Sequence, residues 1–330
     1  MDSELAAAIA DVKVARSEAL VGVADARALF EKFVIAPHKA FHEALLPPKD
    51  AYTVNDYLVP VEGGEILVRC LVPVVGDNRD TFPVLVNIHG GGWCVGNIEL
   101  DDYALRGWCV RYKISIVNIE YRLAPEYPFP TAVNDCHAAL RWIVSNAALL
   151  KADFGKGFIV GGHSAGANLS AAITHIVRDD PFFEGKRLTG QLLREPATCH
   201  HAAYPEHLKP KFRSIVENKD TPPITKEKLV QLLGWCNPSP SDPRFSPLLY
   251  PSHEGLPRAY IQASQLDILR DDALVYAEAL RGAGVEVKTD LYPGVGHGVF
   301  YDYPNTAPAT RAREGVEDAL KWLLSRRSEA

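Results

Sequence analysis

The sequence lacks the features that mark membrane-spanning, secreted or nucleic-acid-binding proteins. No apolar run among its 330 residues is long enough to span a bilayer. Residues 1–20 are acidic and Ala-rich, without the basic and apolar regions of a signal peptide. A formal net charge of −6 argues against nucleic acid or an anionic membrane as a partner.

Metal-like cysteine spacing is also absent. The six cysteines, which include no C-x-x-C pair, stand at positions 70, 94, 109, 136, 199 and 236. We therefore predict that they are small, mostly buried apolar residues. Together with the missing signal peptide, this predicts a soluble, reduced, cytoplasmic protein without a metal site.

Short apolar runs alternate with amphipathic stretches from residue 83 onward. The predicted strands are Val84–Ile88, Ile114–Ile119, Phe158–Val160, Leu188–Leu193, Arg258–Ala263 and Val285–Leu291. The predicted helices are Ala132–Leu150, Ala165–Val177, Asp271–Arg281 and Ala309–Leu324. An antiparallel hairpin, Tyr52–Val59 with Ile66–Val72, precedes them. The pattern predicts an α/β fold with a mostly parallel sheet covered by helices on both faces.

One Pro-rich stretch, residues 197–257, interrupts this alternation. Its one clear helical pattern is Thr225–Trp235. Insertions of this size inside a compact domain are usually functional, so we predict a lid made of Thr225–Trp235 and amphipathic helices within residues 4–34. The alternative is a surface excursion with no bearing on catalysis.

A candidate nucleophile lies between a predicted strand and a predicted helix. Gly162-His163-Ser164-Ala165-Gly166 matches the G-x-S-x-G turn that exposes a serine at a sheet edge. The two glycines suit a turn too sharp for side chains. Because the pentapeptide alone is weak evidence, an incidental serine in a Gly-rich turn remains the alternative until further parts of a site are found.

Hydrolysis by a serine also needs N–H donors for the oxyanion, a base and an acid. The N–H of Ala165 at a helix start is one donor, and Gly90-Gly91-Gly92 directly after a strand offers more. The order Ser, Asp, His requires a base toward the C-terminus. Among eleven histidines, His297 follows a strand at the same predicted edge as Ser164.

The acid should follow the preceding strand. Asp267 stands in the loop after Arg258–Ala263, whereas Asp271 and Asp272 are better explained as acids in the first turn of the next helix. Asp302 follows His297 and so breaks the expected order. Four parts in the right order, each at a strand end, make the incidental serine a poor explanation.

The chain resembles the hormone-sensitive-lipase-like branch of the α/β-hydrolases over roughly residues 50–325. The residues that carry the resemblance are His89-Gly90-Gly91-Gly92-Trp93, Tyr121 to Glu126 with Pro128-Phe129-Pro130, Gly162 to Asn168, Asp267 to Asp272, and Gly296-His297-Gly298. The resemblance implies an eight-stranded sheet, a triad of Ser164, Asp267 and His297, and an oxyanion hole of Gly91, Gly92 and Ala165. It also implies a small or medium ester as substrate and no cofactor.

The same resemblance implies a cap over the site. Its expected boundaries are residues 1–46 for N-terminal cap helices and 197–245 for a cap insertion, with 47–196 and 246–330 forming the catalytic core. Trp93, Trp235 and His163 are the candidate substrate-binding residues. The residues Tyr121 to Pro130 are expected to be structural.

Three positions depart from the family pattern. His163 stands where Asp is common, Ala167 where a second glycine is common, and Ile268 where Pro is common. None removes a catalytic group. The elbow with His163 also resembles that of kynurenine-formamidase-type amidases, another branch of the same fold.

Several functions therefore stay open. The leading one is a serine carboxylesterase that acts as a monomer or homodimer. A metabolite-tailoring enzyme (deacetylation, acyl transfer, dehydration or cyclisation) or a formamidase-type amidase would use the same triad. A ligand receptor on this fold, like the plant gibberellin receptors, is disfavoured because such receptors lack the histidine that His297 supplies here.

Overall fold

One eight-stranded sheet forms the centre of the chain in the computed structural model, which describes residues 22–76 and 80–325. The strands are β1 Tyr52–Val61, β2 Gly64–Pro73, β3 Val84–Ile88, β4 Ser115–Glu120, β5 Phe158–His163, β6 Gly190–Arg194, β7 Arg258–Ser264 and β8 Val287–Tyr292. Their order is β1-β2-β4-β3-β5-β6-β7-β8. Only the β1–β2 and β2–β4 pairs are antiparallel, so the predicted mostly parallel sheet is confirmed.

Helices cover both faces of this sheet. They are α1 Val23–Phe30, α2 Ala36–Glu43, α3 Glu99–Tyr112, α4 Thr131–Ser145, α5 Ala165–Asp179, α6 Ser214–Glu217, α7 Lys226–Cys236, α8 Arg270–Gly282, α9 Val299–Asp302 and α10 Ala307–Leu324. A π-helical turn, Glu31–Ile35, joins α1 to α2. The predicted helical repeat at Leu5, Ile9 and Val12 lies outside the described residues.

Burial explains why the central strands read as continuous apolar runs. Every residue of β3 and β5 is buried because helices pack on both of their faces. All six cysteines are buried, as predicted, and have free thiol groups. Within residues 22–76 and 80–325, no helix is both long and apolar enough to cross a membrane.

Four of the described helices, α2, α3, α6 and α9, were not predicted, and α3 is the longest of them. α3 buries Asp101 and Asp102 along with apolar residues such as Leu105. Two buried carboxylates break the apolar period, which is the signal that identifies a helix in a sequence. Their partners explain the burial, since Asp102 pairs with Arg106 at 2.6 Å and Asn87 donates to Asp101 at 3.2 Å.

The Pro-rich insertion is fastened to the first turn of α8. The N–H groups of Thr198 and Cys199 both donate to Oδ1 of the buried Asp272, each at 3.0 Å. The N–H groups of Arg213 and Ser214 donate to Oδ2 of Asp271, each at 2.6 Å. The two first-turn acids expected from the sequence therefore also anchor the insertion to the core.

The Asp272 carboxyl should make stability depend on pH. Burial, opposed by the two N–H donors, raises its pKa to about 7. In the unfolded chain the pKa is about 3.9, so between these values the unfolded state binds fewer protons and stability falls as pH rises.

We expect Asp272→Asn, which keeps an oxygen for both N–H groups and never ionises, to raise the free energy of unfolding at pH 8. The gain should be on the order of 2–4 kcal/mol at pH 8 and near zero at pH 4. Urea unfolding at the two pH values measures it. Equal effects at both pH values would contradict a raised pKa.

Candidate active site

Ser164 occupies a sharp turn between β5 and α5. Its φ of 55° and ψ of −117° lie outside the regions that non-glycine residues normally adopt. Its N–H donates to the carbonyl of Arg194 at 2.9 Å, which ties the turn to the end of β6. The serine therefore stands at the carboxyl edge of the sheet, at the start of a helix.

The two glycines beside this serine are required by contact with β3. A Cβ on Gly162 would lie 2.3 Å from the Ile88 carbonyl oxygen, and one on Gly166 would lie 2.0 Å from the same oxygen. Real Cβ atoms do not approach a backbone oxygen so closely. The G-x-S-x-G spacing is thus a packing requirement between the turn and the end of β3.

The glycine run after β3 forms a loop beside Ser164. In the part of the chain that the structure describes, the N–H groups of Gly91 and Gly92 donate to no carbonyl or side chain. Tyr121 stacks on His89 at 4.3 Å between ring centroids and donates from its hydroxyl to the His89 carbonyl at 3.1 Å. This contact fits the structural role expected for the residues from Tyr121 onward.

His297 and Asp267 are hydrogen-bonded to each other. Nδ1 of His297 donates to Oδ2 of Asp267 at 2.7 Å, and both side chains are buried. Nε2 of His297 has no partner among the described residues. Burial alone would lower the pKa of His297. The Asp267 and Glu195 carboxylates outweigh burial and raise the pKa to about 9.

His163, just before the serine, contacts a residue that the sequence did not single out. Its Nε2 donates to Oε2 of Glu195 at 2.8 Å. Burial and the nearby charges of His297 and Arg194 hold the pKa of His163 well below 6.5, so it is neutral. The available sequence signal for Glu195 was a charged pair, with Arg194, directly after a buried strand.

Three of these side chains lie close enough together to be considered as metal ligands. His163, Glu195 and His297 each offer one ligand atom, and the three atoms lie within 4.8 Å of one another. However, Oε2 of Glu195 already accepts from His163 and from the Gly298 N–H at 2.7 Å. The hydrogen bonds from His163 and Gly298 to Glu195, and from His297 to Asp267, explain the cluster without a metal.

Ser164, His163 and His297 line one cavity of about 180 Å³. Its other walls are mostly apolar and come from three parts of the chain. They are α1 and the following turn (Ala26, Leu29, Phe30, Phe33, Val34), the insertion (Pro223, Ile224, Lys228, Leu232), and the loops and helices around the glycine run and His297 (Gly91, Gly92, Val95, Leu100, Gly298, Tyr301, Asp302).

Leu232 of α7 lies directly over the glycine run. A Cβ on Gly92, whose φ is +57°, would lie 2.6 Å from Cδ1 of Leu232. The insertion therefore reaches the site through this leucine, which the sequence did not identify.

The structure does not bring the two candidate tryptophans to the cavity lining. Nε1 of Trp93 donates to Oδ1 of Asn168 at 3.1 Å, which turns the indole toward the elbow helix and Phe245. Trp235 is half-buried against the main core cluster. Of the three predicted substrate-binding residues, only His163 lines the cavity.

Arg27 fixes α1 over the site. Its Nε donates to the carbonyl of Cys94 at 2.9 Å, and its Nη2 donates to the carbonyl of Ala124 at 3.0 Å. The same guanidinium makes two hydrogen bonds to the Glu126 carboxylate. The N-terminal wall is thereby attached to the loop that follows the glycine run.

Comparison with known proteins supports this fold. A model of the α/β-hydrolase fold family matches residues 85–301. Carboxylesterase NlhH of Mycobacterium tuberculosis is 37% identical over 257 residues, covering 76% of each chain. Versiconal hemiacetal acetate esterase of Dothistroma septosporum is 31% identical over 293 residues, covering 88% of each chain.

A solved structure, that of vibralactone cyclase, superposes with a TM-score of 0.93 at 39% identity, covering 96% of this chain and 94% of that one. The matched family model spans the glycine run, the elbow and the His297 loop. The chain belongs to the α/β-hydrolase fold family, in its hormone-sensitive-lipase-like branch.

Proposed function

We propose that the chain is a serine carboxylesterase in which Ser164 is the nucleophile, His297 the base and Asp267 the residue that orients the base. The observation that carries this proposal is the 2.7 Å hydrogen bond from Nδ1 of His297 to Asp267. It leaves Nε2 of His297 without a partner among the described residues, in the cavity that Ser164 also lines. An imidazole held in this tautomer can accept a proton at Nε2.

The reaction follows from this arrangement. Ser164 Oγ attacks the ester carbonyl carbon while its proton passes to Nε2 of His297. The N–H groups of Gly91, Gly92 and Ala165 stabilise the tetrahedral oxyanion. Collapse expels the alcohol, which takes the proton from His297. Water then attacks the acyl-enzyme in the same way and releases the acid.

The cavity walls favour an uncharged ester with a small or medium acyl chain. Phe30, Phe33 and Leu232 offer an apolar surface but few hydrogen-bond donors. We infer that the described N-terminal helices and the insertion 197–245 form a cap, with Arg27 and the two α8 carboxylates as its attachments. No cofactor is needed for this chemistry.

A second candidate uses the same acyl-enzyme differently. The likeness to vibralactone cyclase across nearly the whole chain makes transfer of the acyl group to a hydroxyl of the substrate itself an alternative to hydrolysis. Enclosure by α1 and α7 would limit the access of water. Very low turnover of every simple ester, with Ser164 still labelled by a fluorophosphonate, would favour this candidate.

We expect Ser164→Ala to lower kcat for p-nitrophenyl butyrate by at least about 10⁴-fold and to abolish fluorophosphonate labelling, because no other group supplies the nucleophile. Ser170→Ala is the matched control. Ser170 lies on the same helix, is buried, and donates to the Gly166 carbonyl at 2.7 Å. Near-normal turnover in Ser164→Ala would eliminate the proposed nucleophile.

The raised pKa of His297 predicts that activity is highest at alkaline pH. Since the base must be neutral, kcat/KM should rise about tenfold per pH unit up to about pH 9 and level off above it. The measurement is p-nitrophenyl butyrate hydrolysis from pH 6 to 10, corrected for spontaneous reaction. A midpoint at the ordinary histidine pKa near 6.5 would show that the carboxylates do not act on His297.

Replacing Leu232 with alanine should widen the cavity beside the glycine run. We expect Leu232→Ala to raise the ratio of kcat/KM for octanoate over butyrate p-nitrophenyl esters by about tenfold. Val230→Ala is the control, because Val230 is on the same helix but 48% exposed. An unchanged ratio, with activity retained, would show that Leu232 does not limit the acyl chain.

A further inference from the structure

We propose that Glu195 is a positioning residue that supplies a second carboxylate to His297 and joins His163 to the catalytic base. The inference rests on the proposed function, since it assumes that His297 is the base. Glu195 directly follows β6 and is 1% exposed. Its φ of +49° is uncommon for a residue with a side chain, and such conformations persist where surrounding contacts impose them.

Three donors from different parts of the sheet edge hold the Glu195 carboxylate. His163 Nε2 at the end of β5 and the Gly298 N–H both donate to Oε2, at 2.8 and 2.7 Å. Ser264 Oγ at the end of β7 donates to Oε1. The three contacts therefore fix both oxygens of this carboxylate in place.

This carboxylate lies beside the ring nitrogen that already contacts Asp267. Oε2 of Glu195 is 3.7 Å from Nδ1 of His297, whereas Oδ2 of Asp267 is 2.7 Å away. A separation of 3.7 Å is too long for a hydrogen bond but short for two charges in a buried site. Nδ1 of His297 thus faces two carboxylates, and the imidazolium formed during catalysis is stabilised by both.

Asp267 and Glu195 raise the pKa of His297 more than the third nearby carboxylate, that of Asp302, does. In the described parts of the chain, the titratable and charged groups that face His297 or the adjoining His163 ring are Asp267, Glu195, His163, Asp302, Arg194, Asp101 and Tyr301. His163 is neutral and donates to Glu195, so it helps to position the Glu195 carboxylate but adds no charge beside His297. Among the described residues, the two imidazoles are the only basic groups within 4 Å of the Glu195 carboxylate.

The decisive variant is Glu195→Gln. The amide retains an oxygen for His163 and Gly298 and presents its NH₂ to Ser264 Oγ, so it removes the charge while keeping the hydrogen bonds. Loss of a negative charge beside His297 lowers the pKa of the imidazole. We expect the acidic limb of kcat/KM for p-nitrophenyl butyrate to move down by roughly one to three pH units. The plateau above it should fall by about tenfold, since a weaker base is a poorer catalyst.

The matched control is Glu120→Gln. Glu120 ends β4, is half-buried, accepts the Ile98 N–H at 2.6 Å and does not line the cavity. Glu120→Gln should leave the acidic limb of kcat/KM at the same pH. The rate at which a fluorophosphonate labels Ser164 should show the same pH dependence as kcat/KM. This second measurement does not require ester turnover. If Glu195→Gln does not fold, Glu195→Asp, which withdraws the charge from Nδ1, should move the limb in the same direction by a smaller amount.

The outcomes separate the two proposals. A folded Glu195→Gln protein that is labelled at Ser164 with an unmoved limb overturns the role of Glu195 and leaves the esterase proposal intact. Turnover that persists in Ser164→Ala overturns the esterase proposal itself. A limb that moves in Glu195→Gln but not in Glu120→Gln supports the second carboxylate, because loss of packing alone would not shift it.

Discussion

The contact between the serine turn and the end of β3 is the constraint on which the site depends. Gly162 and Gly166 both approach the Ile88 carbonyl oxygen so closely that neither position has room for a Cβ. This contact holds Ser164 in its unusual conformation. It also fixes the start of the glycine run, because Ile88 is the last residue of β3. Ser164 and the glycine run are therefore positioned by one backbone contact at the sheet edge.

Buried carboxylates do most of the remaining positioning. Asp267 orients His297, Glu195 links the ends of β5 and β7 to the His297 loop, and Asp271 and Asp272 attach the insertion to α8. In most of these contacts a backbone N–H or an imidazole N–H is the donor. Such groups are rigid and carry little rotamer entropy, so they hold the site at a small entropic cost.

The sequence was sufficient for the sheet, most helices and the order of the candidate triad, because periodicity and glycine spacing report directly on strands and turns. It was insufficient where polar residues are buried. The buried Asp101 and Asp102 interrupt the apolar period that would have indicated α3, and Glu195 lies in no recognisable motif. The two tryptophans drew attention by size, but the hydrogen bond from Trp93 to Asn168 directs its indole away from the cavity. Such long-range pairings are invisible to local patterns.

The cavity is walled by segments far apart in the chain, from Phe33 in the N-terminal turn to Tyr301 in α9, with Leu232 from the insertion between them. These segments pack against one another at the sheet edge although they lie far apart in sequence. Because their docking closes large loops, we expect it late in folding. Until then the apolar floor beside Ser164 is open to water and to other chains. A measurement of catalytic turnover therefore detects only molecules in which these segments have docked. A measurement of secondary structure also detects molecules that have formed only the sheet.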